Sequence, residues 1–181
     1  MEELKEKQIN RKEIYNGRVM DVVCDDVILQ DGKASKREVV LHSGGVVILA
    51  IDKNNSVYMV KQYRYAVQNE LYELPAGRLE KGEDPFECAK RELEEECGLV
   101  AETWESLGFI YSSPGILSEK LYLYKATDLK QTQQHLDEGE FLSVCKFNFD
   151  EIFRMIKENK INDAKTICAV SLGKVFKKTE S

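Results

Sequence analysis

The fold class is decided by one stretch of the sequence, Gly77-Arg-Leu-Glu-Lys-Gly-Glu-Asp-Pro-Phe-Glu-Cys-Ala-Lys-Arg-Glu-Leu-Glu-Glu-Glu-Cys-Gly-Leu99. Asp84 is a favourable N-cap residue, and Pro85 suits the first helical position, where a backbone N–H is not needed. Gly98 readily takes the left-handed conformation that ends many helices. The stretch therefore predicts a loop followed by a helix that ends at Gly98.

The predicted helix has an apolar face and an acidic face beside it. At 100° per residue the apolar positions form one stripe, made of Phe86, Ala89, Leu93 and Cys97. Glu92, Glu95 and Glu96 share the neighbouring strip, where like charges cost about 0.2–0.5 kcal/mol per pair and the helix dipole disfavours anions. Two interpretations are open: a solvated acidic face, or a site for Mg²⁺, which prefers oxygen ligands.

The same stretch resembles the Nudix box, which reads Gly, five residues, Glu, seven residues, Arg-Glu, an aliphatic, any residue, Glu-Glu, any residue, Gly and an aliphatic. Every position of this pattern is matched, by Gly77, Glu83, Arg91, Glu92, Leu93, Glu95, Glu96, Gly98 and Leu99. The resemblance favours the metal site over the solvated face. It implies an α/β (α+β) fold, the Nudix α/β/α sandwich with a mixed sheet, and divalent metals that clamp the diphosphate of a substituted nucleoside diphosphate.

The resemblance also implies roles for individual residues of the box. The expected metal ligands are the carbonyl of Ala76 and the carboxylates of Glu92, Glu95 and Glu96. Arg91 would orient the glutamates, and Glu83 either supports the ligands or belongs to a metal site. The expected cofactor is Mg²⁺, with Mn²⁺ as a possible substitute, because hydrolysis of a diphosphate requires charge neutralisation and an activated water.

The segments that flank the box are similar to the ADP-ribose pyrophosphatase branch of the family, from about Tyr15 to Leu172. Pro114, sixteen residues beyond Gly98, is the marker of that branch. The implied reaction is Mg²⁺-dependent hydrolysis of ADP-ribose to AMP and ribose 5-phosphate. Two alternatives stay open: hydrolysis of another nucleoside diphosphate sugar or dinucleotide, and a non-catalytic nucleotide-sugar sensor, which the complete set of box glutamates disfavours.

A general base and the substrate-binding residues are expected outside the box. In the branch a Glu from an acidic loop activates the attacking water; Glu140 matches it best, with Glu138 as the fallback, although Asp137–Glu140 is also ordinary turn composition. The expected substrate-binding residues are Arg64, Arg37, Pro114 and Glu119. Arg64 could equally be a surface arginine at a strand end. Tyr15 and Arg37 stand where some family members have a tryptophan pair, which leaves base selectivity open.

Strand patterns surround the predicted helix. Asp31-Gly32 between apolar segments predicts a hairpin in the first third of the chain. The β-branched run Gly44–Ile51 predicts a central strand. Further strands are predicted at Val57–Tyr63, Leu71–Leu74, Trp104–Tyr111, Leu121–Ala126 and Phe141–Phe149, and helices at Asp150–Glu158 and Asp163–Lys178. Strands mixed with terminal helices favour a sheet with helices packed on it.

The resemblance predicts a homodimer, because subunits of this branch pair through N-terminal strands and often exchange one. Residues 1–41 are accordingly expected to be an N-terminal antiparallel segment for dimerisation, and residues 42–181 the hydrolase domain. An isolated hairpin is marginal in water, so something should cover it. The alternative is that the hairpin folds back on the sheet of its own chain.

Composition limits the other partners. The chain has 181 residues, 43% hydrophobic and 32% charged, with a net charge of −6, which disfavours nucleic acid and anionic membranes as partners. No apolar run approaches a membrane span, and the N-terminus lacks the apolar stretch of a signal peptide. Five cysteines without a Cys-x-x-Cys pair suggest reduced thiols. We therefore expect a cytoplasmic protein.

Overall fold

The computed structural model describes residues 4–176, and the chain divides into two compact units. The first unit contains the described part of Met1–Gly44 together with Tyr111–Lys120, and the second contains Gly45–Ile110 and the described residues from Leu121 onward. The proposed domain boundary between residues 41 and 42 stays a prediction. No helix in the described part of the chain has the length and apolar character that crossing a bilayer requires.

The first unit is built on three antiparallel strands, β1 (Lys7–Asn16), β2 (Asp21–Ile28) and β3 (Ala34–Leu41). The hairpin predicted at Asp31-Gly32 is confirmed, and Gly32 has the positive φ of 82° that its turn requires. Antiparallel strands were expected within residues 1–41, but β1 was not located individually, because most of its residues are polar.

Two kinds of contact hold the first unit together. Val23 and Val27 of β2 are buried, and the guanidinium of Arg11 on β1 forms a bidentate pair with Asp25, with N–O distances of 2.8 and 2.7 Å. The loop that contains Pro114 is attached to β3, because the Val40 N–H donates to the Ile116 carbonyl at 2.8 Å. The loop is thus part of this unit although it is distant in sequence.

The second unit has two sheets. One has the strand order β7-β4-β9-β8 and the other the order β10-β5-β6. Strand β4 is parallel to β9 and antiparallel to β7, so the sheet is mixed, as predicted. The bounds are β4 (Gly45–Ala50), β5 (Ser56–Arg64), β6 (Asn69–Glu73), β7 (Ala76–Arg78), β8 (Leu99–Tyr111), β9 (Lys120–Gln131) and β10 (Leu142–Asn148).

Three helices, α1 (Pro85–Cys97), α2 (Phe149–Lys157) and α3 (Ala164–Phe176), cover the β4 sheet on both faces. Side chains alternate across a strand, and β4 is completely buried. One face of β4 packs in a core with Leu93 of α1, and the other face packs in a core with Ile152 of α2 and Ala169 of α3. This arrangement confirms the α/β/α sandwich.

Most predicted elements are confirmed, with differences at their ends. Strands β8 and β9 are longer than predicted, and the three-residue β7 was not predicted, because such a short segment carries no periodic signal. The predicted C-terminal helix extended to Lys178, which lies outside the described residues. Trp104 is partly buried against the core beside α1 and packs against Phe86 of that helix, with ring centroids 5.5 Å apart.

Candidate active site

Helix α1 carries the acidic residues, and its ends are set locally. The Asp84 carboxylate accepts hydrogen bonds from the N–H groups of Phe86 and Glu87, and Gly98 ends the helix with a φ of 61°. The glutamate face of α1 lies against β7. A Cβ atom at Gly77 would lie only 1.8 Å from the Glu92 carboxyl carbon, so a larger residue there would displace the Glu92 carboxylate.

The interpretation of these glutamates as a solvated face is wrong for Glu96. Glu96 is only 1% exposed, and its Oε2 accepts a hydrogen bond of 2.9 Å from the Ala76 N–H. Burial is the main cause that raises the pKa of Glu92 to about 7 and that of Glu96 to about 8, and the negative charge of Glu140 contributes in the same direction. The carboxylates of Glu92, Glu96 and Glu140 therefore belong to one electrostatic cluster.

Arg91 connects the acidic residues of the box. Its Nη1 lies 2.7 Å from a Glu92 oxygen and 2.8 Å from a Glu95 oxygen, while Nε lies 2.9 Å from a Glu83 oxygen. This is the geometry expected of a residue that orients the glutamates. The hydrogen bonds from Arg91 lower the pKa of Glu83 to about 2, so Glu83 stays ionised and fixes Arg91 in turn.

The donor set suits a hard divalent cation. Carboxylates that are buried beside one another carry an electrostatic cost that a cation removes, and oxygen is the donor such cations require. In the structure Glu96 is held by Ala76, whereas Glu92 and Glu95 are held by Arg91. Across residues 4–176 no three His, Cys, Asp or Glu side chains converge on one cation-sized position. The ligand set therefore stays a prediction.

The C-terminal end of α1 is capped by a distant segment, residues 131–135. The His135 N–H donates to the Glu95 carbonyl at 3.1 Å, and the Thr132 N–H donates to the Gly98 carbonyl at 2.7 Å. The Gln134 side chain donates to the Glu96 carbonyl at 2.6 Å. These donors satisfy carbonyl groups that a helix end leaves unpaired. They also offset the dipole that disfavours anions in the last turn.

The acidic loop follows this capping segment directly. Glu140 is partly buried, and its N–H donates to the Asp137 carbonyl at 3.0 Å, which closes a tight turn. Its charge acts on both Glu92 and Glu96, whereas Glu138 is exposed. The geometry thus brings Glu140 toward the acidic cluster, while both candidate bases stay predictions.

Arg64 is paired rather than free. Its Nε and Nη2 each lie 2.7 Å from a Glu73 oxygen, and the Glu73 side chain is only 1% exposed, against 42% for Arg64. Burial acts to raise the pKa of Glu73, but Arg64 and Lys165 together hold that pKa below its ordinary value. The charge of Arg64 also acts on Glu96. Arg64 is thus the last residue of β5, partly exposed and paired with a buried carboxylate, and its role toward a substrate stays a prediction.

The other predicted substrate-binding residues belong to the first unit. Arg37 pairs with Glu6, with Nε and Oε2 2.9 Å apart, and Glu119 lies 3.5 Å from the His42 imidazole. Pro114 is exposed in its turn, and Tyr15 is 57% exposed. Their roles toward a substrate stay predictions.

Two charged residues of this region had no predicted role. Glu73 and Lys165 lie in segments that the sequence singled out by resemblance, but nothing local shows that they meet, since they are 92 residues apart. The signal that was available is a glutamate directly before the Leu-Pro-Ala-Gly of the box entry, where a buried strand is expected. A charge at such a place needs a partner.

The Glu83–Arg91 pair makes the stability of the protein depend on acid. The pKa of Glu83 is about 2 in the folded protein against 4.5 ordinarily, so its contribution is present above about pH 4.5 and is lost as the pH falls toward 2. The free energy of unfolding, measured with urea, should fall between pH 4.5 and 2 by about 1–2 kcal/mol more for the wild type than for Glu83→Gln, after allowance for solvent screening. The control is Glu80→Gln, at an exposed neighbouring position, which should show the same acid dependence as the wild type. An equal fall of the free energy of unfolding in the wild type and in Glu83→Gln would contradict the stabilising role of the pair.

Comparison with known proteins identifies the class. The NUDIX domain family matches residues 41–170, a range that contains the whole acidic site. The chain therefore belongs to the Nudix family, whose hydrolases generally depend on divalent metals.

Individual relatives cover nearly the whole chain. It is 45% identical to the methanol dehydrogenase activator of Bacillus methanolicus, over 91% of this chain and 90% of that protein. It is 39% identical to the ADP-ribose pyrophosphatase of Bacillus subtilis, over 94% and 93% of the two chains. A crystal structure of an ADP compounds hydrolase shares the fold, with a TM-score of 0.86, 21% identity and coverage of 98% and 96%.

Proposed function

We propose that the protein is a Mg²⁺-dependent pyrophosphohydrolase that cleaves ADP-ribose to AMP and ribose 5-phosphate. The observation that carries the proposal is the acidic cluster on α1, in which Glu140 acts on both Glu92 and Glu96, and Arg64 acts on Glu96. The 39% identity to an ADP-ribose pyrophosphatase over 94% of the chain supports this substrate.

The residues of the box would hold the metal. Glu92 and Glu96 are the main proposed ligands, with Glu95 and the Ala76 carbonyl as further ones. When bound, Mg²⁺ or Mn²⁺ neutralises charge on non-bridging phosphate oxygens and makes a water more acidic. Arg91 keeps the carboxylates aligned through its hydrogen bonds to Glu92 and Glu95.

The proton of the attacking water would go to Glu140. A carboxylate on a short loop that ends at β10 can approach the diphosphate when substrate is bound, and it would accept the proton as the water oxygen attacks one phosphorus. The bond from that phosphorus to the bridging oxygen would break, and the bridging oxygen would leave with the second phosphate, giving AMP and ribose 5-phosphate. Arg64 would contact the substrate phosphates, since Nε and Nη2 face Glu73 and leave Nη1 outside that pair. Arg37, Pro114 and Glu119 are proposed to contact the remaining parts of the substrate.

A substrate panel tests the proposal. Purified protein is incubated with ADP-ribose, GDP-mannose and a dinucleotide, each with Mg²⁺ or Mn²⁺, and the products are separated by chromatography. We expect AMP and ribose 5-phosphate from ADP-ribose at the highest kcat/KM. A higher value for another nucleoside diphosphate compound would replace the substrate but keep the chemistry. No hydrolysis of any of them would favour the sensor.

The 45% identity to a methanol dehydrogenase activator favours a second candidate function, the activation of a dehydrogenase. The test adds the protein to a methanol dehydrogenase and follows the dehydrogenase rate. Stimulation by wild type that is lost with Glu140→Gln would make the activation depend on hydrolysis. Stimulation that persists in the variant would separate the two activities, and no stimulation would reject this candidate.

A homodimer formed through the first unit is also proposed. Strand β1 is exposed along its length in the single chain, including the apolar side chains of Ile9, Ile14 and Tyr15 at 57%, 55% and 57%.

A cytoplasmic location is also part of the proposal. Free thiols at the five cysteines agree with it.

Replacement of Ile14 tests the dimer. Burial of an isoleucine contributes about 1.5–3 kcal/mol, so Ile14→Asn should raise the dimer dissociation constant at least about tenfold. Lys12→Asn places the same residue at a polar position of β1 and should have little effect. Light scattering measures the mass: a wild type at the 20.8 kDa of one chain, fully active at the same concentration, would contradict the dimer.

A further inference from the structure

Glu73 is a buried carboxylate that two cations from different elements hold. Arg64 on β5 binds both of its oxygens at 2.7 Å, and Lys165 at the start of α3 donates to Oε2. The side chains of Glu73 and Lys165 are 1% and 16% exposed, whereas that of Arg64 is 42% exposed. Arg64 is thus the member of the group that a ligand in solution can reach.

Lys165 is fixed by contacts of its own. Its Nζ lies 3.0 Å from Asp163 Oδ2, which also accepts a hydrogen bond of 2.6 Å from the Thr166 hydroxyl. That hydroxyl in turn accepts from the Leu74 N–H at 2.8 Å, directly after Glu73. The beginning of α3 is therefore attached to the end of β6, and Lys165 approaches Glu73 in one defined orientation.

Lys165 has two anionic partners at the start of α3. A cation in the first turn opposes the helix dipole, and that turn has no acidic residue, but Asp163 directly before the helix pairs with Lys165 at 3.0 Å, and Glu73 is its second partner. Arg64 by itself already provides Glu73 with a bidentate partner. A second cation is therefore not needed to neutralise Glu73, but a donor on Oε2 from another direction does fix the plane of the carboxylate, and the bidentate pair transmits that orientation to the guanidinium.

We propose that Lys165 is a positioning residue, which acts through Glu73 to aim the Arg64 guanidinium at the substrate diphosphate. The inference rests on the proposed function, because it takes Arg64 as a phosphate contact. Removal of Lys165 leaves Glu73 paired with Arg64, so the fold is retained while the orientation of the guanidinium is lost.

The kinetic test compares Lys165→Met, Lys165→Arg and the control Lys157→Met, at an exposed lysine of α2. Lys165→Met should raise KM for ADP-ribose about tenfold and change kcat less than about threefold, as expected for a binding contact that is misplaced. Lys165→Arg, which keeps a charged donor, should return KM to within about threefold. In a Glu73→Gln background, Lys165→Met should have no further effect, because coupled residues are not additive.

A readout without substrate separates this inference from the proposed function. The Arg64 Nε–H, assigned by its loss in Arg64→Lys, is observed by NMR, and Lys165→Met should speed its exchange with water at least about tenfold. Faster exchange in a protein that does not hydrolyse ADP-ribose would keep the positioning role and reject the substrate. Unchanged exchange, unchanged KM in Lys165→Met, or full additivity with Glu73→Gln would overturn the inference.

Discussion

Glu96→Gln should lower kcat at least about a hundredfold, which corresponds to about 2.7 kcal/mol of transition-state stabilisation. Glutamine keeps the shape of the side chain and an oxygen that can accept from the Ala76 N–H, as Glu96 does at 2.9 Å. The change removes only the negative charge that a divalent cation requires. The measurement is kcat for ADP-ribose at saturating Mg²⁺.

Stability gives this variant an internal check. Burial raises the pKa of Glu96 to about 8, so the ionised form is costly in the folded chain. Without added metal, the thermal midpoint of Glu96→Gln should equal or exceed that of the wild type. Glu94→Gln, on the same helix but outside the acidic strip, should retain its activity. Wild-type turnover in Glu96→Gln at saturating Mg²⁺ would remove Glu96 from the ligand set.

Glu140→Gln should lower kcat by roughly 10²–10⁴, the range for loss of a general base, with little change in KM. The physical reason is that an amide cannot accept the proton of the attacking water, although it still fits the loop. Glu138→Gln is the matched control, because Glu138 is exposed two residues earlier on the same loop. The reverse result, with Glu138→Gln damaging and Glu140→Gln nearly silent, would exchange the two roles.

The predictable parts of the fold are those that local sequence encodes. Helix α1 could be located because Asp84, Pro85 and Gly98 act on their immediate neighbours. Strand β4 could be located because a continuous β-branched run is typical of a strand buried on both faces. Strand β1 could not be located individually, because most of its residues are polar and no periodic apolar pattern marks it.

The candidate site was predictable in its membership but not in its environment. The box spacing names Glu92, Glu95 and Glu96, yet helical geometry alone could not show that Glu96 is buried and Glu95 is not. That difference depends on β7, which precedes α1 in the chain and is too short for its pairing to be read from the sequence. The partnership of Glu73 with Lys165 joins residues 92 positions apart, and only the folded chain brings them together.

The hydrogen bonds between residues 131–135 and the end of α1 have a consequence for how the site can change. Residues 136–141 are tethered at one end by His135 to the glutamate helix and at the other by the start of β10 beside β5. Six extended residues reach at most about 20 Å. The two attachments therefore limit how far Glu140 can move. Insertion or exchange of residues inside the tether would leave both attachments, and the carboxylates of α1, in place. Under the role proposed for Glu140, exchange of this loop would therefore alter the proton transfer. It would also change the negative charge that acts on Glu92 and Glu96.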